Sequence, residues 1–449
     1  MDYAGKKIHF IGIGGIGMSA LAQMFAHDGT LVSGSDRDAA PTTVLLEMKG
    51  IRVIVGQKAE NVPADADLVV YSDAVPADNP EREHARKLGI LELSYFEMLG
   101  KVSAGKRTVA VAGTHGKTTT TGMLGKILID AEASPTVVVG SIVKDLGLNH
   151  AEGVVGRTDD PKSSVLGSNY APGTSDLFVV EACEYKDHLL ELSPEVLVIT
   201  NLEWDHTDYF PSLAALQETF RKAIARVPEQ GAIVTDPSNP NIAPLLAAAK
   251  ARIVDYTREP AYELLLPGEF NRSNARAAAA AARIAFPATS DAAIAASLAD
   301  FHGTWRRFEY KGTSAQGADV YDDYAHHPTA VRETLRALRA KTSGKVFVAF
   351  HPHLYSRTRD LLDEFATAFV DADTVFIAPI YAAREVDDGS ISSEILAERI
   401  RATGVEAAAL PSFDAIEQAL AAAGPGDVIM TMGAGDIYKV ADTLVSRKQ

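Results

Sequence analysis

Three times along this chain an apolar run stops at a glycine turn and gives way to a helix-like stretch. The three are KKIHFIGIGGIG, KRTVAVAGTHGK and DVIMTMGAGD, the last running into IYK. A buried strand feeding a helix through glycines is the unit of parallel α/β architecture, so the chain is predicted to fold as α/β. At 449 residues it is too long for one core. Boundaries near 104 and 303 give three expected α/β domains, 1–103, 104–302 and 303–449.

Within the first block, SALAQMFAHDG reads as a helix ended by Gly29, with LVSGSD and ADLVVYSDAV as strands. The second block adds the strands DLFVVEACE and VLVITN, then the helices LAALQETFRKAIARV and SNARAAAAAARIAF. The third carries DVYDDYAHHP, KVFVAFHPH and DTVFIAPIY. The stretch from Gly153 to Asp176 is dense in turn formers and reads as an exposed excursion.

Charge narrows the partners. A formal net charge of -16 argues against nucleic acid or an anionic membrane, both of which want a basic face. A small anion needs only a local positive pocket. The single cysteine, Cys183, rules out an intramolecular disulfide and fits a reducing compartment. No apolar run approaches a membrane span, and the N-terminus has no cleavable-signal layout. The expectation is a cytoplasmic protein with no membrane insertion, a monomer or weak homodimer.

The loop AVAGTHGKTTTTGM departs from the common phosphate-loop spacing, since Val111 stands where its first glycine belongs. Even so, Gly113, Gly116, Lys117 and Thr118 fall together at a strand end, where helix N–H groups and a lysine make an anion site. Thr118 offers a hydroxyl to Mg²⁺. Glu181 ends DLFVVE, and His206 follows VLVITN, so both fall at strand tips beside that loop, where ligands gather in open parallel sheets. GIGGIG, Gly12 to Gly17, with Asp36 downstream, fits a dinucleotide fingerprint, yet such a turn holds any pyrophosphate. Hydride transfer and nucleotide-sugar binding therefore compete for it. In the third block Asp323, His326, His327, His351, His353 and Arg357 meet two strand ends. Without a zinc spacing, Arg357 with His353 suits a carboxylate or phosphate better. Arg306 and Arg307 suit either a phosphate or ion pairs within this acidic chain. Asp436, in the last glycine turn, reads equally as a helix cap.

Taken in order, FIGIGGIGMS, GSD, AVAGTHGKTTT, VEACEY, ITNLEWDHTDYF, FNRSNA, RRFEYKG, DDYAHHPT, HPHLYSRT, IYAAREV and GAGDIY resemble the Mur ligase family over essentially the whole chain. That family's loop, A-x-x-G-T-x-G-K-T-[ST], has its first glycine where Gly113 stands. The resemblance is greatest to the branch that uses ATP to join L-alanine to the lactyl carboxylate of UDP-N-acetylmuramate through an acyl phosphate, in peptidoglycan synthesis. It implies that Gly14, Gly15, Ile16 and Gly17 approach the UDP pyrophosphate, with Ser35 and Asp36 nearer the uridine and Ser72 and Asp73 as further contacts. Gly113, Thr114, His115, Gly116, Lys117, Thr118 and Thr119 would cradle the ATP phosphates. Thr118 and Glu181 would hold one Mg²⁺ and His206 a second, while Asn271 and Asn274 would meet the adenine. With the first domain Rossmann-like and the central one a P-loop-type ATPase domain, as the resemblance implies, the third domain would close over ATP with Arg307, Asp323 and His326, and His353 and Arg357 would face the reacting carboxylate and the amino acid. His353 is the candidate acceptor of the ammonium proton.

Some positions depart from the family's pattern. Cys183 replaces an acid often found in E-A-D-E, and Leu354 stands where some relatives have arginine. Arg221 and Lys222 lie near the place of a carbamylated lysine in other members, and no carbamate is expected. Three rivals remain. A recycling ligase attaching a whole tripeptide to the same sugar nucleotide shares nearly every motif. An NAD-dependent oxidoreductase would leave the phosphate loop, Glu181 and His206 idle. A non-catalytic nucleotide-binding scaffold would not be expected to keep Lys117, Glu181 and His206.

Overall fold

A computed structural model describes residues 3–146 and 167–446. Of the expected excursion, Gly153 to Leu166 lies outside the described residues.

Five short strands, β1 (Lys7–Ile11), β2 (Leu31–Asp36), β3 (Arg52–Val55), β4 (Leu68–Tyr71) and β5 (Glu92–Ser94), form a sheet in the order β3-β2-β1-β4-β5. Every pairing in it is parallel. The order reverses at β1, so the crevice that receives ligands opens at the carboxyl end of β1, where the glycine turn begins.

A seven-stranded sheet follows, made of β6 (Arg107–Ala112), β7 (Thr136–Val143), β8 (Ser168–Ala171), β9 (Leu177–Glu181), β10 (Val196–Ile199), β11 (Ala232–Thr235) and β12 (Arg252–Asp255). Its order is β12-β11-β10-β6-β9-β7-β8, parallel except for the β7–β8 edge. Val109, Ala110 and Val111 of β6 are fully buried, as a central parallel strand covered on both faces must be. Because β6 lies between β9 and β10, the tips carrying Glu181 and Thr200 flank the phosphate loop. The strand Ser168–Ala171 is buried throughout, so this end of the turn-rich stretch is not the exposed excursion expected of it.

These two sheets share one compact unit, comprising 1–202, 217–263 and 274–302. The helix Ile16–His27, which leaves the glycine turn, packs on β7 and β8 of the second sheet.

The second compact unit comprises 203–216, 264–273 and 303–449. Its sheet runs β13-β14-β18-β15-β16-β17, with β13 (Glu309–Thr313), β14 (Asp319–Asp323), β15 (Val346–Phe350), β16 (Thr374–Ile377), β17 (Glu406–Ala409) and β18 (Val428–Met432). Only the β13–β14 pair is antiparallel. Alternation sorts its two faces: Val346, Val348 and Phe350 pack with Leu335, Phe365 and Phe369, while Phe347 and Ala349 pack with Ile416, Leu420 and Leu444. Trp204 and Phe270 pack on the first of these cores, which is why their segments group with residues 303–449 although the sequence boundary set them in the middle domain. Among the described residues no helix is long and apolar enough to cross a membrane.

Candidate active site

The phosphate loop leaves β6 at Ala112 and enters the helix Lys117–Asp130. Gly113 and Gly116 have φ of +129° and +82°, which side chains rarely adopt. A Cβ on Gly113 would also collide with the Thr200 hydroxyl and sit 2.9 Å from the Asn201 carbonyl, and one on Gly116 would strike the Asn274 amide. Asn201 fixes the loop between them. Its carbonyl accepts from Thr114 N at 3.2 Å, its Oδ1 from His115 N at 2.9 Å, and its Nδ2 donates to His115 O at 2.9 Å. Thr200 Oγ1 donates to the same carbonyl at 2.6 Å. Sequence reasoning passed over Asn201; its position directly after β10, in ITN, was the available signal.

Thr118 and Thr119 lie in the first turn of that helix, where N–H groups lack helical partners. Thr118 Oγ1 donates to Glu181 Oε1 at 2.9 Å, and Gly140 N donates to Glu181 Oε2 at 2.7 Å. Two hard oxygens thus meet at a strand end. Lys117 Nζ donates to Glu184 Oε1 at 3.0 Å, to Thr114 O at 3.2 Å and to Gly113 O. Burial works against its charge, but Glu184, whose side chain is 1% exposed, outweighs it and holds the lysine above its ordinary pKa. Glu184 is a second residue the sequence reading missed, although E-A-C-E places it three residues past Glu181. Between them, burial and then Glu184 push the Cys183 thiol up to about 12, so it stays protonated.

In the first sheet the glycine turn closes on Asp36, whose Oδ2 accepts from Gly14 N at 2.8 Å. A Cβ on Gly14 would lie 2.8 Å from Thr43, and one on Gly17 would lie 2.6 Å from the Tyr95 ring. Gly15 caps the helix that Ile16 begins, so its first turn faces the crevice described above. Asn169 of β8 donates to Ile16 O at 2.6 Å and Ser19 Oγ at 2.8 Å, and accepts from Gln23 at 2.9 Å. Ser72 and Asp73 follow β4, with Asp73 3.4 Å from His188, whose ring stacks on Phe96. Ser35 needs correction: its side chain is fully buried and its hydroxyl donates to Glu81 Oε2 at 2.5 Å, so it braces the domain and does not face a uridine.

The second unit gathers a different set. His206 takes a left-handed φ of +53°, and its N–H donates to Asp205 Oδ1 at 2.7 Å. The same oxygen accepts from Arg357 Nε at 2.7 Å, and Arg357 Nη1 reaches His353 Nδ1 at 2.9 Å. Burial would raise the Asp205 carboxyl, but Arg357 and then His206 hold it well below the usual range. Arginine only donates, so His353 Nδ1 must accept, and the neutral ring carries its proton on Nε2. Burial, then Arg357 and Arg384, lower His353 to about 3. The ring is therefore held neutral in the folded chain, a donor through Nε2. His326 is held well below its ordinary value by burial and Arg357; its Nδ1 is 2.8 Å from Tyr324 O, and its ring 6.1 Å from that of His353.

Asp323 accepts from Phe308 N and Ala325 N, each at 2.7 Å, and burial, against the pull of Arg307, raises it to about 6. Arg307 lies over the Tyr324 ring at 5.1 Å. Arg306 is committed to the fold, bonded to Asp322 at 2.7 Å and to the carbonyls of Gly433 and Gly435. Asn271 donates to Pro267 O at 2.7 Å. Arg221 and Lys222 pair with Glu218 on an exposed helix face. Asp205 is the third residue missed from the sequence, where it immediately precedes His206.

These arrangements meet a consistent set of relatives. Three family models match in series: the Mur ligase family catalytic domain over residues 7–107, the Mur ligase middle domain over 111–263, and the Mur ligase glutamate ligase domain over 306–435. A UDP-N-acetylmuramate–L-alanine ligase of Acetivibrio thermocellus is 39% identical, over 99% of this chain and 96% of that protein. One of the same name from Clostridium botulinum is 36% identical over 98% of each. The crystal structure of a UDP-N-acetylmuramate-alanine ligase from Thermotoga maritima superposes with a TM-score of 0.77 at 27% identity, covering 98% of both chains. A murein peptide ligase from Psychrobacter arcticus gives 0.71 at 25%, again over 98% of both. Matched by three Mur ligase models in series and by relatives 36–39% identical over nearly its whole length, this chain belongs to the Mur ligase family.

Proposed function

We propose that the chain joins L-alanine to the lactyl carboxylate of UDP-N-acetylmuramate at the cost of ATP, in the cytoplasm, as a step of peptidoglycan synthesis. The observation that carries the reading is the convergence of Lys117, Thr118 and Glu181 on one strand-end loop, in a chain whose full-length relatives at 36–39% identity bear that activity in their names.

A carboxylate is a poor acyl donor. Its oxygen attacks the γ-phosphorus of ATP, ADP leaves, and the resulting acyl phosphate is attacked by the alanine amine; phosphate leaves with the P–O bond intact and an amide remains. Two anions must meet in the first step, so cationic groups and N–H donors have to offset their repulsion. Residues 113–119 are assigned to the ATP phosphates, with Lys117 exchanging Glu184 for a phosphate oxygen. Asn271 and Asn274 are assigned to the adenine, and Arg307 to the nucleotide; Asp323, both of whose oxygens hold backbone N–H groups, shapes the turn that presents it. Gly14 to Gly17, with Asp36, Ser72 and Asp73, are assigned to the UDP moiety. His326, His353 and Arg357 are assigned to the acyl phosphate and the amino acid.

Mg²⁺ fits the donors present, since the Thr118 hydroxyl and the Glu181 carboxylate are hard oxygens already 2.9 Å apart. His206 is the candidate ligand of a second ion. Bound there, the metal would neutralise charge on the transferring phosphoryl group.

The test is phosphate release from ATP by the purified chain with Mg²⁺ and UDP-N-acetylmuramate, with L-alanine or the L-alanyl tripeptide supplied separately. Strong release with L-alanine alone supports the reading. Release with the tripeptide alone would move the chain to the peptide-recycling reaction, a reading that the likeness to the murein peptide ligase keeps in view.

A further inference from the structure

A fully buried carboxylate costs stability unless donors surround it, and one sits behind the glycine turn of the first sheet. Glu81 is 0% exposed, in the first turn of the helix Pro80–Lys87. Its Oε2 accepts from Ser35 Oγ at 2.5 Å, and its Oε1 from Asn61 Nδ2 at 2.6 Å and Lys58 N at 3.1 Å. The ring of His9, equally buried, places Nε2 3.5 Å from Oε2. Burial would raise this carboxyl, but His9, Ser35 and Asn61 outweigh it and hold it below its ordinary value. One side chain thus ties together β1, β2 and the segment after β3.

Ser35 is the link to the crevice. Its carbonyl accepts from Gly12 N at 2.8 Å and Ile13 N at 2.9 Å, where the glycine turn leaves β1. Asp36, the next residue, holds Gly14 N through its carboxylate and accepts from Gly56 N at 2.7 Å through its carbonyl. Asn61 Nδ2 also donates to Gly56 O at 2.9 Å. Two paths therefore lead from Glu81 to the turn, one directly through Ser35 and one through Asn61, Gly56 and Asp36.

We infer that Glu81 is a positioning residue for the sugar-nucleotide substrate, and that by clamping Ser35 it sets where the turn from Gly14 to Gly17 meets a diphosphate. The inference rests on the assignment of this turn to the UDP moiety and extends it to a residue with no access to solvent. A buried anion suits the task. An ionised carboxylate accepts on both oxygens, so it holds two chain segments at once, and its charge strengthens each bond. It has no donor of its own to satisfy, which leaves the clamp one arrangement. A cradle held in place beforehand gives up less freedom when its ligand arrives.

The experiment measures UDP-N-acetylmuramate binding by titration calorimetry, together with steady-state kinetics. It uses the full-length wild type, Ser35→Ala, Glu81→Ala, the double variant and Ala85→Gly. The last weakens the same helix without touching a bond of Glu81. We expect Ser35→Ala to raise Kd and KM for UDP-N-acetylmuramate by about 10-fold, the scale of one hydrogen bond, with kcat and KM for ATP unchanged. Glu81→Ala should cost at least as much. The double variant should cost no more than Glu81→Ala alone, because both changes act through one bond. Ala85→Gly should lower the unfolding midpoint and leave Kd at the wild-type value. Unchanged binding in Ser35→Ala would overturn the inference, even if Glu81→Ala does not fold. So would a similar loss in Ala85→Gly, which would make the effect one of general stability, or losses that multiply in the double variant. A wild type that does not bind UDP-N-acetylmuramate would sink the reading of the crevice itself, a result distinct from these.

Discussion

Arg357 and Asp205 form a buried ion pair, Nε to Oδ1 at 2.7 Å, with side chains only 2% and 4% exposed. The same carboxylate oxygen accepts from the His206 N–H, so one acid anchors both the arginine assigned to the reacting groups and the left-handed turn that carries the candidate metal ligand.

Removing one partner of such a pair strands the other charge. Asp205→Ala should therefore destabilise the chain by about 3–5 kcal/mol, read from urea unfolding. The double variant Asp205→Leu with Arg357→Met should recover most of that loss while remaining inactive. Wild-type stability in the single variant would show that the pair contributes nothing net.

Glu181→Gln keeps an oxygen for the Thr118 hydroxyl but removes the negative charge available to a cation. The Mg²⁺ concentration for half-maximal activity should rise by about 10- to 100-fold, with folding unchanged by circular dichroism. An unaltered Mg²⁺ titration would remove Glu181 from the metal site.

Gly113→Ala tests the loop itself. The alanine would have to adopt φ of +129° against the Asn201 carbonyl, at a cost of about 1–3 kcal/mol in strain alone. The loop should distort, and the thermal shift on adding ATP and Mg²⁺ should disappear. A variant that still shows the full shift would mean the loop tolerates a side chain at this glycine.

The histidines set an acid limit. Burial lowers His351 to about 4 and His353 to about 3 in the folded chain, whereas unfolded histidine titrates near 6.5. Below about pH 6.5 the unfolded state binds protons that the folded state refuses, so their contribution is complete above that pH and lost as pH falls, by up to about 1.4 kcal/mol per pH unit for each histidine. Asp323, raised to about 6, acts in the opposite sense, losing stability as pH rises from about 4 to 6, but one group opposes two. Urea unfolding at pH 5 and pH 7 should show lower stability at pH 5, and His353→Gln should lessen the difference. Equal stability at the two pH values would contradict the buried, neutral histidines.

What the sequence made legible was local. Gly113, Gly116, Lys117 and Thr118 act through the conformation of one turn and one helix start, and their spacing alone carries it. Glu181 was legible because its strand run is unmistakable and ends on it. Ser35 misled because its burial depends on Glu81, forty-six residues on, which no local pattern announces. Asp205 was missed for the same reason, since its partner Arg357 lies 152 residues away. The strands β3 and β5 were not foreseen, being sheet edges of four and three residues with charged or exposed ends. The strand Ser168–Ala171 hid among turn formers because its burial comes from the helix packed upon it.

That last contact bears on how the chain can be recombined with its relatives. Asn169 ties β8 to the carbonyl of Ile16, and the Ile16–His27 helix lies on β7 and β8, so the glycine-turn domain and the phosphate-loop domain share one buried polar seam. A chimera cut at the linker near residue 105 would import a foreign helix face onto Asn169 and leave buried amide groups without partners. A transplant that carries its own Asn169 and Gln23 equivalents together would keep the seam closed, and with it the angle at which that helix meets the crevice.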